Sequence, residues 1–390
     1  MAIITPDLIK GGILRNGSLF IPESITQSIG KCVSSSAAQI DEAWGILKKY
    51  YKDGRNSPDP VSMNYSGGPM IDAYTLYYMP RNVLVPKLAL LCCSFDAHFQ
   101  NLPPVLHVLD LGSGTGSVVL GLLDLFSQRP FANTTLDIRS LDSSPEALVR
   151  QIEILGIFGY HGSSVTPLMV DFSDSKSYIQ AIRENGPYEM VFAANLFSEL
   201  TQNSIDEILQ HISQSLTANG IFVNVEPSNH YARQQHCRIA KTIQQFGLNI
   251  FYPCPPAIPC SRGSCWKWRD DEFECSDITL SDCTIEPTGI QKANWMVFAK
   301  QARTIYDTLH SVRSDLVWGI AAPGKISSKD GKRVYDYEIC TEQKWLRGTI
   351  TQEERILLFQ EEPYKRGTFV GLSQDLTKIE VGWDIIKGLQ

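Results

Sequence analysis

The segment Val105-Leu106-His107-Val108-Leu109-Asp110-Leu111-Gly112-Ser113-Gly114-Thr115-Gly116-Ser117 constrains the fold more than any other. An apolar run closes on an acid, three glycines alternate, and an apolar stripe from Val118 to Phe126 follows. The pattern predicts a strand, a tight turn and a helix. Glycine in such a turn admits backbone angles that a Cβ would forbid and lets a ligand approach closely. The opening of the helix adds unpaired N–H groups. A dinucleotide-binding turn would carry glycine at its first, third and sixth positions, whereas the sixth position here is Ser117.

From Leu106 onward, apolar runs alternate with helical stripes. Strands are predicted at 106–110, 135–141, 165–170, 188–194, 220–225 and 248–252, with helices at 116–127, 144–156, 175–185, 203–217 and 231–246. This alternation implies a parallel, doubly wound sheet. Residues 1–100 read as a helical N-terminal region, with stripes at Ile40 to Tyr51 and Ala73 to Phe99. A Pro- and Cys-rich insertion spans about 253–290, and Asn294 to Ala299 reads as the last strand of a core covering 101–300. The runs Val334 to Cys340, Thr349 to Phe359 and Gly367 to Leu372 predict a small β-rich C-terminal domain over 301–390. A length of 390 residues suits roughly two to three domains.

The net charge of −7 rules out a global positive field that would draw the chain to phosphate backbones, though not a local basic patch. The first residues carry neither a charged segment followed by an apolar one nor an Arg-rich amphipathic presequence. The longest apolar stretch, Val83 to Phe95, is broken by Pro86 and Lys87 and is too short to span a bilayer. A cytoplasmic protein with no membrane partner is expected.

Seven of the ten cysteines (Cys237, Cys254, Cys260, Cys265, Cys275, Cys283 and Cys340) fall in the last 40% of the chain. Without a secretory signal, metal or iron-sulfur ligation explains the cluster better than disulfides do. The loop Cys254 to Trp268 lacks periodicity and is dense in proline, so a metal staple would account for its order. Its spacing, C-x5-C-x4-C, is wider than structural zinc favours and suits a cluster held by thiolates, with zinc as the alternative.

Asp110, two residues before the first glycine, matches the pattern of class I S-adenosylmethionine methyltransferases. The expected fold class is therefore α/β, a Rossmann-like class I methyltransferase sheet. The cofactor candidates are Asp110, Gly112, Ser113, Gly114 and Gly116, then Asp142 and Ser143 after the second strand, where a carboxylate can accept both ribose hydroxyls. The lesser alternative for Asp142 is a helix N-terminal acid before Pro145. Asp171 and Phe172 end the third strand, where an acid and an aromatic can hold an adenine, or serve as ordinary loop residues. Asn195 follows the fourth strand at the usual place of the acceptor atom. Methyl transfer needs alignment and, for a protonated acceptor, a base. Asn195, Glu199, Glu226 and Tyr231 are the catalytic candidates, although Glu199 can also cap the next helix. No Asn-Pro-Pro-aromatic sequence signals amino-group methylation of a base.

Over residues 60–345 the chain also resembles the methyltransferase-like proteins of the mitochondrial small ribosomal subunit and their bacterial relatives. The resemblance rests on Tyr74-Thr75-Leu76-Tyr77-Tyr78-Met79-Pro80-Arg81, on Leu109 to Gly116, on Val225-Glu226-Pro227 and on Pro253-Cys254. It implies methyl transfer to RNA of the small ribosomal subunit. It also implies a 4Fe-4S cluster on Cys254, Cys260, Cys265 and Cys340, with Cys275 as the rival fourth ligand. The family's His after the Cys-Pro pair and its Trp-Cys-His-Phe element are replaced here by Pro256 and by Ser264-Cys265-Trp266-Lys267. A methyltransferase of a small metabolite or natural product, with an aromatic pocket, and a non-catalytic ribosome assembly factor are the alternative expectations.

Overall fold

The computed structural model describes residues 2–3, 14–15, 18–19, 21–53, 67–96, 99, 101–128, 134–184, 186–227, 230–254, 271–273, 279–280, 283–284, 291–329, 332–341, 343, 345–351, 368–376, 379–384 and 388–389. Within residues 21–96 the helices are α1 (Glu23–Cys32), α2 (Ala37–Asp53), α3 (Gly68–Tyr77) and α4 (Leu84–Ser94), with a short helical turn at Met79–Asn82. The N-terminal region is not wholly helical: Ala2–Ile3 pairs with Asn101–Leu102, and Leu14–Arg15 pairs with Ser18–Leu19. Such two-residue bridges are too short to carry a periodic signal.

The βα alternation then runs through β1 (Val105–Leu111), α5 (Ser117–Phe126), β2 (Thr135–Asp142), α6 (Pro145–Phe158), β3 (Ser164–Met169), α7 (Ser175–Arg183), β4 (Tyr188–Ala194), α8 (Gln202–Ser215), β5 (Leu216–Pro227), α9 (His230–Gln245), β6 (Asn249–Tyr252) and β7 (Gln291–Ala299). The strands lie in the order β3-β2-β1-β4-β5-β7-β6. β1 to β5 are mutually parallel, and β7 runs antiparallel between β5 and β6. This is the expected Rossmann-like, mainly parallel α/β sheet. Its inner strands are nearly continuous apolar runs because helices cover both faces.

Local chemistry places the helix starts. Ser144 accepts the Ala147 amide at 3.1 Å ahead of Pro145, and the side chains of Asp174 and Thr201 cap α7 and α8. Every residue of α5 is buried, as its all-round apolar sequence requires. One face meets the sheet and another meets α4, where a Cβ on Gly121 would come within 2.3 Å of the Val83 carbonyl oxygen. Beside this contact, Lys87 of α4 forms a buried ion pair with Asp124 of α5. A second buried pair, Asp72 of α3 with Arg150 of α6, ties the N-terminal helices to α6, whose Ile154 and Leu155 share their hydrophobic core.

After β7 comes α10 (Ile305–Val312), in a stretch without a predicted helix; its capping box of Thr304 and Asp307 was a readable start signal. The remainder forms an antiparallel sheet of β8 (Val317–Lys329), β9 (Lys332–Thr341), β10 (Trp345–Thr351), β11 (Thr368–Leu372), β12 (Ile379–Asp384) and β13 (Gly388–Leu389). Its order is β10-β9-β8-β11-β12-β13. The sheet shares a core with the parallel one: Phe369 of β11 packs against Tyr252 of β6 and Tyr306 of α10 at ring separations of 5.9 and 5.5 Å.

Candidate active site

The strand order reverses between β1 and β4, so the carboxyl ends of these two strands define the crevice where open α/β sheets bind ligands. Three of its walls grow from the loops after β1, β2 and β4.

The loop after β1 is built by its glycines. Gly112, Gly114 and Gly116 have φ of 68°, 52° and 90°, all in the left-handed region. At Gly116 space is short as well, since a Cβ would sit 2.6 Å from Cγ of Gln151. Gln151 is a buried polar residue on the apolar face of α6; its amide donates to Ser140 Oγ at 2.9 Å, and its Oε1 accepts from Ser113 Oγ at 3.3 Å. It props the loop from beneath, a role the sequence signals only as a polar position among Leu148, Ile154 and Leu155.

The loop after β2 is locked to the first. Asp142 accepts the Gly114 amide at 2.7 Å through Oδ2 and the Ser144 amide at 2.8 Å through Oδ1, while Ser113 donates its amide to the Leu141 carbonyl at 2.9 Å. Each carboxylate oxygen retains acceptor capacity for a ligand hydroxyl. Burial raises the Asp142 carboxyl, the amides of Ser144 and Gly114 oppose that rise, and the charge of Glu199 adds to it. Ser143 follows directly, its amide also favouring the Asp142 carboxylate. Asp110 lies wholly buried at the end of β1, and neither carboxylate oxygen has a hydrogen-bond partner among the described residues. Burial first, and then the negative Asp142, push it well above the usual carboxylate range.

After β4, Asn195 takes a left-handed φ of 60° and donates its amide to the Val225 carbonyl at 2.7 Å. Leu196 turns toward Gly112, whose Cβ would approach its Cδ1 to 3.0 Å. Glu199 is half-exposed and close enough for its charge to act on Asp142. Glu226, at the end of β5, is wholly buried; its Oε1 accepts the Phe197 amide at 3.0 Å and so holds the turn that carries Glu199. Tyr231 stands in the first turn of α9, and its side chain lies outside the described residues.

The third strand end is arranged differently. Asp171 is exposed and accepts the Ser173 amide at 2.8 Å and its hydroxyl at 2.7 Å, bonds that hold its carboxyl below the usual range. The Phe172 ring is buried in the core beside Tyr178. Asp110, Asp142, Glu199 and Asn195 therefore converge on the crevice, while Asp171 and Phe172 are engaged by their own surroundings.

Cys254 and Cys340 are half-buried and pack against different hydrophobic clusters. Cys260, Cys265 and Cys275 lie outside the described residues. Among the described residues no group of three or more His, Cys, Asp or Glu side chains is placed to hold a metal ion, and no helix is long and apolar enough to cross a membrane.

No protein-family model matches the chain, and no curated protein matches it. Solved structures similar to it include several methyltransferases. An O-methyltransferase family protein from Burkholderia thailandensis is 12% identical over 68% of this chain and 72% of its own, with a TM-score of 0.38. A putative RNA methyltransferase from Pyrococcus horikoshii is 12% identical over 57% and 85%, with a TM-score of 0.34. Magnesium protoporphyrin IX methyltransferase from Synechocystis, solved with bound SAH, is 12% identical over 66% and 100%, with a TM-score of 0.33. The fold assignment rests on the strand order above.

Proposed function

We propose that the chain binds S-adenosylmethionine at the crevice between β1 and β4 and transfers its methyl group to an acceptor. The observation that carries this reading is the locked turn: three left-handed glycines whose middle amide is held by a carboxylate at the end of the neighbouring strand. That arrangement leaves bare backbone facing the crevice, with Asp142 beside it to receive ribose hydroxyls. The cofactor supplies an activated methyl on a cationic sulfur, so the protein's task is alignment. Asp142, whose carboxylate two amides support, places negative charge near that cation. Leu196 narrows the turn opposite, and Glu199 is the half-exposed carboxylate available to take a proton from the acceptor.

The resemblance to the small-subunit methyltransferase-like family makes RNA of that subunit the proposed acceptor. The net charge of −7 favours the second reading, a small metabolite. The same resemblance extends the proposal to an iron-sulfur cluster on Cys254, Cys260, Cys265 and Cys340, with Cys275 as the rival fourth ligand, which anaerobic purification with iron and sulfide analysis tests. For the cofactor, titration calorimetry with S-adenosylhomocysteine should show binding by the wild type. Asp142→Ala should lose about tenfold or more, the order expected for a charged hydrogen-bonding group. A wild type that does not bind overturns the proposal. Transfer of labelled methyl to isolated small-subunit RNA, or instead to small molecules of an extract, then decides the acceptor.

A further inference from the structure

The helix α3 reaches the glycine loop with one side chain. From Ile71 to Met79 every residue is buried except Tyr74 and Tyr78, which lie one turn apart on the same face, half-exposed, with ring centres 5.4 Å apart. In the glycine loop, Gly112 and Gly114 are half-exposed while Leu111, Ser113 and Thr115 are buried. A Cβ on Gly114 would meet the Tyr74 hydroxyl oxygen at 3.5 Å and its Cε1 at 3.7 Å. The phenol therefore stands over the open part of the loop, hydroxyl foremost.

Tyr74 is held there firmly. Asp72, two residues earlier on α3, is wholly buried, pairs with Arg150 of α6 and accepts the amides of Ser34 and Ser35 at 3.1 and 2.8 Å. Because α6 also carries Gln151, the prop under Gly116, one helix anchors both the floor of the loop and the helix above it.

With a ribose at Asp142 and a methyl directed toward the end of β4, the part of S-adenosylmethionine left to cover the glycine loop is its amino-acid tail. We propose that the Tyr74 hydroxyl donates a hydrogen bond to the α-carboxylate of that tail, making α3 a wall of the cofactor site. This inference rests on the cofactor reading above. The assignment of charges is consistent: the Asp142 carboxylate would repel the tail's carboxylate, whereas a phenol donates to it.

The test is calorimetry of the wild type and Tyr74→Phe with two ligands, S-adenosylhomocysteine, which carries the tail, and 5′-methylthioadenosine, which lacks it. Tyr74→Phe should weaken S-adenosylhomocysteine about tenfold and leave methylthioadenosine within about twofold. Equal losses for both ligands, or no loss for either, overturn the proposal while leaving the cofactor reading intact. If the wild type binds neither ligand, the cofactor reading itself fails and this inference falls with it.

Discussion

Asp110 shows what a residue costs when its surroundings await a ligand. It is a carboxyl with no access to water and no donor among the described residues, next to a second acid. In the unfolded chain it titrates near 4, and in the folded chain higher. Between those two values the folded state keeps a proton that the unfolded state has released. Stability therefore falls as pH rises through that window, and the full deficit persists above it. Asp110→Asn removes the deficit. Without ligand, its melting temperature should exceed that of the wild type by about 2 °C at pH 8, and the two should converge near pH 4. A wild type that melts higher at pH 8 would show that Asp110 has a donor in the free protein. The residue's position was legible in the sequence, since an acid two places before the first glycine ends the strand. Its isolation was not, because it depends on which neighbours fail to reach it. Gln151 and Tyr74 were hidden for the same reason: they touch the loop from helices far away in sequence.

At the scale of elements, legibility followed burial. The parallel strands read clearly because both faces are covered, and α6, α7 and α8 because each pairs an apolar stripe with a side-chain cap. The C-terminal strand pattern was partly visible, but β8 was missed: Pro323 and Gly324 interrupt its apolar run, and its register on β9 shifts between Pro323 and Ile326. The joint between α4 and α5 carries a specific prediction. Lys87 and Asp124 are buried partners, and burial lowers the Lys87 ammonium while Asp124 raises it in compensation. Lys87→Met leaves a carboxylate buried alone and should cost about 3–5 kcal/mol in urea denaturation. The double variant Lys87→Met with Asp124→Leu should recover most of that loss. If it recovers none, the pair contributes through its shape rather than its charge.

For the whole molecule, the two sheets are joined by more than the chain that links them. Arg303 donates from Nε to Asp96 at 2.9 Å, and the Tyr306 hydroxyl donates to the Pro253 carbonyl at 3.1 Å. Phe369 closes the aromatic cluster between the sheets. Phe369→Ala should cost about 3–5 kcal/mol. It should also lower the melting of both sheets together, seen as one transition by calorimetry and by Trp fluorescence. Two separate transitions would mean that the sheets fold independently.

The antiparallel course of β7 has a consequence for how this chain can vary. Because β7 starts beside the end of β5, at Ala293 opposite Pro227, the chain leaves the parallel sheet after Tyr252 and re-enters it on the same edge. The segment between starts and ends on one rim, like a handle on a drawer, and its residues Asp271–Phe273 pair with Gln291–Ala293 of β7. Outside that pairing its chemistry can be exchanged without altering β1 to β6, so new specificity can be fitted to an old frame by replacing one stretch of sequence.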